Sequence, residues 1–122
     1  MRSFVFTLLL LLPSFAFAHE MTPTYPKWST SIYSDLVVTT MEMFNKREDV
    51  EYYEIAVFDE KWNPIPFVSS FKLFKLDYLS RVKFEVYIRE QDKLRAEYIC
   101  STSKLRDNSA PAISSMICSR FK

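Results

Sequence analysis

Two cysteines, Cys100 and Cys118, and a single histidine, His19, are the side chains of this chain best suited to nucleophilic or metal chemistry. A Ser–His–Asp triad needs a histidine base, and His19 is the one available, close to the amino end. A structural zinc site takes a full tetrahedral set of nitrogen and sulfur ligands, which one histidine and two cysteines do not supply. Carboxylates stand side by side at Glu48-Asp49 and Asp59-Glu60, but each pair has Lys or Arg next to it and reads as a solvated turn. Glycine is absent from the chain. That removes the glycine-rich phosphate cradle, the dinucleotide fingerprint and the Gly-x-Ser-x-Gly elbow. These exclusions predict a protein that is not an enzyme.

The amino terminus sets the compartment in which those residues work. Met1-Arg2-Ser3 precedes an apolar run from Phe4 to Leu12, and Ala16-Phe17-Ala18 is a small-x-small cleavage site. This is the layout of a secretion signal. The run is shorter than the roughly 20 residues of a spanning helix, and Pro13 interrupts it. Residues 1–18 are therefore predicted to be a cleaved signal peptide and residues 19–122 one exported domain, secreted or periplasmic, with no further membrane span. Removing Arg2 leaves Lys+Arg and Asp+Glu equal at 15 each. A neutral surface of mixed signs offers no footprint for nucleic acid.

Export changes what the cysteines and the histidine can do. In an oxidising compartment Cys100 and Cys118 can form the one intramolecular disulfide that two cysteines allow, and two buried free thiols are the alternative. Closing that loop would stabilise the fold by roughly 3 kcal/mol. Cleavage after Ala18 would give the mature chain a free amine on His19. That amine and the imidazole could together chelate copper, with Met21 or a carboxylate as partial help. Otherwise no cofactor is expected.

The elements that position these residues read as strands. His19–Tyr33 is rich in Pro, Thr and Ser and reads as extended chain or an edge strand. Leu36–Phe44 is β-branched, and Glu51–Phe58 alternates with Tyr53, Ile55 and Val57 on one face. Val82–Ile88 alternates most regularly, with Val82, Phe84, Val86 and Ile88 against Lys83, Glu85 and Tyr87. Leu94, Ala96, Tyr98 and Cys100 alternate next, Ser101–Pro111 reads as a loop, and Ile113–Phe121 is a last strand. Polar turns divide these runs, and no long helical period occurs. The pattern predicts an all-β, antiparallel sandwich of about seven strands.

Two candidate binding features follow from that architecture. A sandwich has open edges that accept a strand from another chain. The final strand is the candidate edge, with Ile113, Ser115, Ile117 and Phe121 alternating along it and Arg120 near its end. The second is an aromatic surface at Trp62, in a turn beside Pro64, together with Phe67; exposed aromatics anchor protein partners.

Several segments resemble the amino-terminal immunoglobulin-like domain of periplasmic pilus-assembly chaperones. Thr39-Thr40-Met41-Glu42-Met43-Phe44-Asn45-Lys46 is similar to its second strand and turn, and Tyr52-Tyr53-Glu54-Ile55-Ala56-Val57-Phe58-Asp59 to the next strand. Phe71–Leu79 with Val82–Ile88 is similar to the turn and strand that follow. Arg95-Ala96-Glu97-Tyr98-Ile99-Cys100 is similar to the penultimate strand. The resemblance covers most of residues 24–121 and implies an immunoglobulin-like fold. One branch of that family joins its last two strands by a disulfide, as Cys100–Cys118 would. It also implies a protein partner that pairs as a strand, and places Arg120 or Lys122 where the family carries a basic residue after its last strand. The leading expectation is an exported, non-catalytic, chaperone-like binding module. The alternatives are a copper-binding protein using His19 and a structural component of an envelope or a virion.

Overall fold

A computed structural model describes residues 19–105 and 114–121. The signal-like residues 1–18, together with Ile113 and Lys122, lie outside the described residues. The strands are β1 (Glu20–Thr22), β2 (Ser29–Thr30), β3 (Leu36–Phe44), β4 (Tyr52–Asp59), β5 (Phe67–Val68), β6 (Leu73–Lys75), β7 (Arg81–Arg89), β8 (Ala96–Lys104) and β9 (Met116–Arg120). They form two antiparallel sheets. One has the order β1-β3-β7-β5, with β2 also on β3; the other has the order β6-β4-β8-β9. This is the expected sandwich.

The longest strands lie where the residues are β-branched or aromatic at period two, since such side chains pack well on a pleated surface. On β3, Val37, Thr39, Met41 and Met43 turn inward; on β4, Tyr53, Ile55 and Val57 do; on β7, Phe84, Val86 and Ile88 do. These faces meet in one core that also takes in Ile65, Phe74 and Ile99. The short elements come from punctuation. Pro23 and Pro26 separate β1 from β2, which both pair with β3. The run Phe67–Leu76, ambiguous by alternation, is two strands on different sheets, with the chain crossing between them over residues 69–72. The described residues thus form nine strands where the pattern predicts about seven, because two of the runs are divided.

With no glycine, residues with a Cβ must take the left-handed backbone region. Asp35, Trp62 and Leu79 do so, at φ 63°, 65° and 61°. Asp is a common occupant of that region; Trp and Leu are not.

The stretch read as a loop from Ser101 departs from expectation, because Ser101–Lys104 continue β8. The facing of this strand also differs. Ala96 and Ile99 both point inward, and Leu94 is almost fully exposed. The cause is a bulge: Phe58 pairs with Tyr98 but Asp59 pairs with Ala96, so Glu97 is an extra residue. One extra residue reverses which face each later side chain occupies. Ile99, Ser101 and Ser103 therefore line the interior, while Tyr98 and the bridged Cys100, itself buried, lie on the other face of the sheet.

Candidate protein-binding edge

β9 is the end strand of its sheet. Ser103 N–H donates to the Ser115 carbonyl and Phe121 N–H to the Glu97 carbonyl, both at 2.9 Å. Odd-numbered residues along β9 thus aim their backbone groups at β8, and even-numbered ones aim away from it. Cys100 and Cys118 are directly opposite, with Cα atoms 4.1 Å apart. That is the close spacing of a non-hydrogen-bonded antiparallel pair, so Cys118 points its N–H and C=O outward, and so does Met116. Arg120 shares that direction, but its N–H is already taken, donating to the Thr24 carbonyl at 3.0 Å. Among the described residues no backbone group pairs with Met116 or Cys118 on that side, so the open part of the edge there is Met116 to Cys118.

The expected disulfide is present. Cys100 and Cys118 are bonded, and no free cysteine occurs among the described residues. It ties the open part of β9 to β8 on the outer face of the sheet.

The side chains of β9 are placed differently from the docking face read in the sequence. Ile117 packs on the core, and Phe121 is buried with its ring stacked on Trp28 at 4.4 Å. The same period of two that marks the strand turns both inward, so neither presents a side chain at the edge. Ser115 is also committed, its hydroxyl lying 3.3 Å from His19 Nδ1. Arg120 is exposed, donates to Glu97 at 2.7 Å and lies over the Tyr98 ring. The hydrogen bond from its guanidinium to the Glu97 carboxylate raises the Arg120 pKa. Met116, half exposed, is the apolar side chain on the outward face, and the alternation did not single it out.

The aromatic surface is likewise rearranged. Trp62 is exposed, but Phe67 is half-buried in the other sheet with Lys72 over its ring. Trp62 instead stacks parallel on Tyr98, 4.3 Å between centroids, held by a turn in which Trp62 N–H donates to the Asp59 carbonyl. The bulge at Glu97 is what brings Tyr98 outward to meet it.

His19 lies inside the protein, 1% exposed, against the Tyr53 ring. Its Nε2 is 2.6 Å from Ser101 Oγ and 3.2 Å from the Ser101 carbonyl. A carbonyl only accepts, so Nε2 carries the proton and Nδ1 accepts from the Ser115 hydroxyl. Burial lowers the His19 pKa to about 4; the Ser101 carbonyl opposes this shift and the nearby Arg47 charge adds to it. A metal on this ring would have to displace one of these serines. Among the described residues no cluster of His, Cys, Asp and Glu is arranged to hold a metal ion.

His19 belongs to a buried polar network that composition did not reveal. Asn45 donates to the carbonyls of Val50 and Leu76, each at 2.8 Å, and accepts from the Tyr53 hydroxyl. Arg47 grips Asp49 through two nitrogens and reaches the hydroxyls of Ser103 and Ser115. The Arg47 guanidinium holds the Asp49 carboxyl below its ordinary value, and burial pushes the Tyr53 hydroxyl up to about 12. Ser101 and Ser103 stand at core positions of β8 because these partners satisfy them. The network fixes the end of the β8–β9 pair next to the open edge.

No family profile matches this sequence, and no curated protein matches it. Solved structures do match by fold. The crystal structure of the E. coli chaperone DraB superposes with a TM-score of 0.64 at 17% identity, over 86% of this chain and 53% of that one. This chain thus spans about half the length of DraB. A FixG-related protein from Vibrio parahaemolyticus superposes with a TM-score of 0.51 at 14% identity, over 84% of this chain and 94% of that one. The resemblance to a chaperone domain is present in the fold. No helix among the described residues is long and apolar enough to cross a membrane.

Proposed function

We propose that this protein is an exported, non-catalytic binding module that receives an extended segment of a partner protein on the β9 edge, in the manner of a chaperone. The observation that carries this is the pair of outward-facing residues Met116 and Cys118 on the end strand of the sheet. An exposed edge with unpaired backbone groups templates another strand. Here the disulfide and the buried serine network hold that template rigid, which lowers the ordering cost of binding. The signal-like residues 1–18 and the disulfide support an oxidising, extracytoplasmic setting. The fold shared with the chaperone DraB supports a protein partner.

The test is amide hydrogen exchange on the purified protein, alone and with extended peptides or candidate subunits. Binding at this edge protects the amides of Met116 and Cys118. The Arg120 amide, already paired with Thr24, stays as it was and serves as an internal control. A panel of partners that binds without protecting Met116 and Cys118, or that fails to bind, refutes the reading.

A further inference from the structure

A second length of sheet edge is open, on the opposite sheet. β7 pairs with β3 from Arg81 to Arg89, but with β5 only at Tyr87 and Ile88. Beyond Val68 the chain leaves for the other sheet, so among the described residues no strand continues β5 alongside the rest of β7. Glu90 N–H donates to the Asp35 carbonyl and Asn45 N–H to the Ser80 carbonyl, which sets the phase of the β3–β7 ladder. In that phase the even residues of β7 face β3, and Lys83 and Glu85 aim their backbone groups at the vacated side. Among the described residues no backbone group pairs with them there. A cavity of about 700 Å³ reaches this place, spreading from Thr40 of β3 over the outer face of β7 at Lys83 and Glu85 to Val68 and Phe71. That volume is in the range of ligand-binding clefts.

We propose that this gap binds an extended peptide segment of another protein that reads basic–apolar–acidic, laid antiparallel to β7 where β5 stops. Direction follows from β5, which is antiparallel to β7 and whose path the peptide would continue. Charge follows from Lys83 and Glu85, exposed on the outer face, where the Glu85 carboxylate also accepts from the Tyr87 hydroxyl. A residue opposite Glu85 gains from being Lys or Arg, and one opposite Lys83 from being Asp or Glu, because directly opposed cross-strand charges attract. The residue between them faces the interior beside Phe71 and Phe84 and must be apolar. A peptide antiparallel to β7 meets Glu85 before Lys83, which fixes the order.

β7 itself contains Lys83-Phe84-Glu85, so a second copy of this chain has the same pattern. The geometry disfavours it. The register that matches the charges would set Arg81 of the second copy opposite Tyr87, where Val68 already pairs. A free segment has no such obstruction.

The site is separate from β9 and is tested separately. Two synthetic peptides of equal composition, one with a Lys-Val-Glu centre and one with Glu-Val-Lys, are titrated into the purified protein, with amide exchange as readout. The Lys-Val-Glu peptide should bind about fivefold or more tightly, from two charge pairs turned from attractive to repulsive, and should protect the amides of Lys83 and Glu85. The double substitution Lys83→Glu with Glu85→Lys alters exposed side chains only and should reverse the preference. Equal affinity for the two peptides overturns the proposal, as does no binding at millimolar concentration. Protection confined to Met116 and Cys118 also overturns it while supporting the β9 edge. So does self-association through Lys83 and Glu85 that the peptide does not displace.

Discussion

His19 gives the sharpest quantitative expectation. Its imidazole is neutral in the folded protein because burial, with Arg47 nearby, disfavours the charged form, bringing the pKa from 6.5 to about 4. In the unfolded chain the ring is hydrated and regains its ordinary value. Above the unfolded value both states hold a neutral ring, and the full stability is present. Between the two values the unfolded state binds the extra proton, so stability falls as the pH falls. The slope is about 1.4 kcal/mol per pH unit, and the total loss by the folded value is roughly 3 kcal/mol. Guanidinium unfolding at half-unit steps from pH 7 to pH 4 measures this directly, with His19→Gln as the control. The variant should be less stable at neutral pH, since it disturbs the serine contacts, but nearly flat with pH across that window. Asp49 and Asp92 do not confuse the result. The Asp49 carboxyl is lowered by its Arg47 hydrogen bond; for Asp92, burial pushes upward but the hydrogen bonds from Arg89 and Arg95 outweigh it. Their contributions are lost only as the pH falls through the ordinary carboxylate range and below, which overlaps just the acid end of the His19 window. Parallel loss of stability in the wild type and His19→Gln would refute the assignment, as would an imidazole resonance that titrates near 6.5.

Other substitutions probe the rest of the fold. Asn45→Ala strands the Tyr53 hydroxyl and two buried carbonyls, and should cost about 2–4 kcal/mol by denaturant unfolding. Leu79→Gly relieves an exposed left-handed residue and should stabilise the protein by roughly 0.5–1 kcal/mol, seen as a higher midpoint at unchanged slope. Replacing Cys100 and Cys118 together by Ala should cost about 3 kcal/mol and speed amide exchange at Met116 and Cys118 more than in β3.

The regular part of this fold was legible because its strands have one clean apolar face. β3, β4 and β7 announce themselves by period two, and β7 was read with its inward residues correct. The failures have local causes. Glu97 is one extra residue, invisible to a pattern that only alternates, and it reversed the facing of everything after it on β8. Ser101 and Ser103 looked like loop residues because hydroxyls are normally wet; they are core residues here only because His19, Arg47 and Ser115 meet them from distant parts of the chain. The edge itself was legible as a terminal strand. Its chemistry was misassigned because Ile117 and Phe121, the obvious apolar side chains, are those the strand must bury. What a partner would meet is backbone, which carries no residue-type signal.

The hydrogen bond from Arg120 to Thr24 has a mechanical consequence. It closes the Arg120 end of the β9 edge, and among the described residues no backbone group closes the Met116 end. A strand laid on β9 as proposed would extend past Met116 toward Ser114 and would be halted at Cys118. On the proposed reading, this hydrogen bond is a fixed stop that would set where an incoming segment comes to rest as well as whether it adheres.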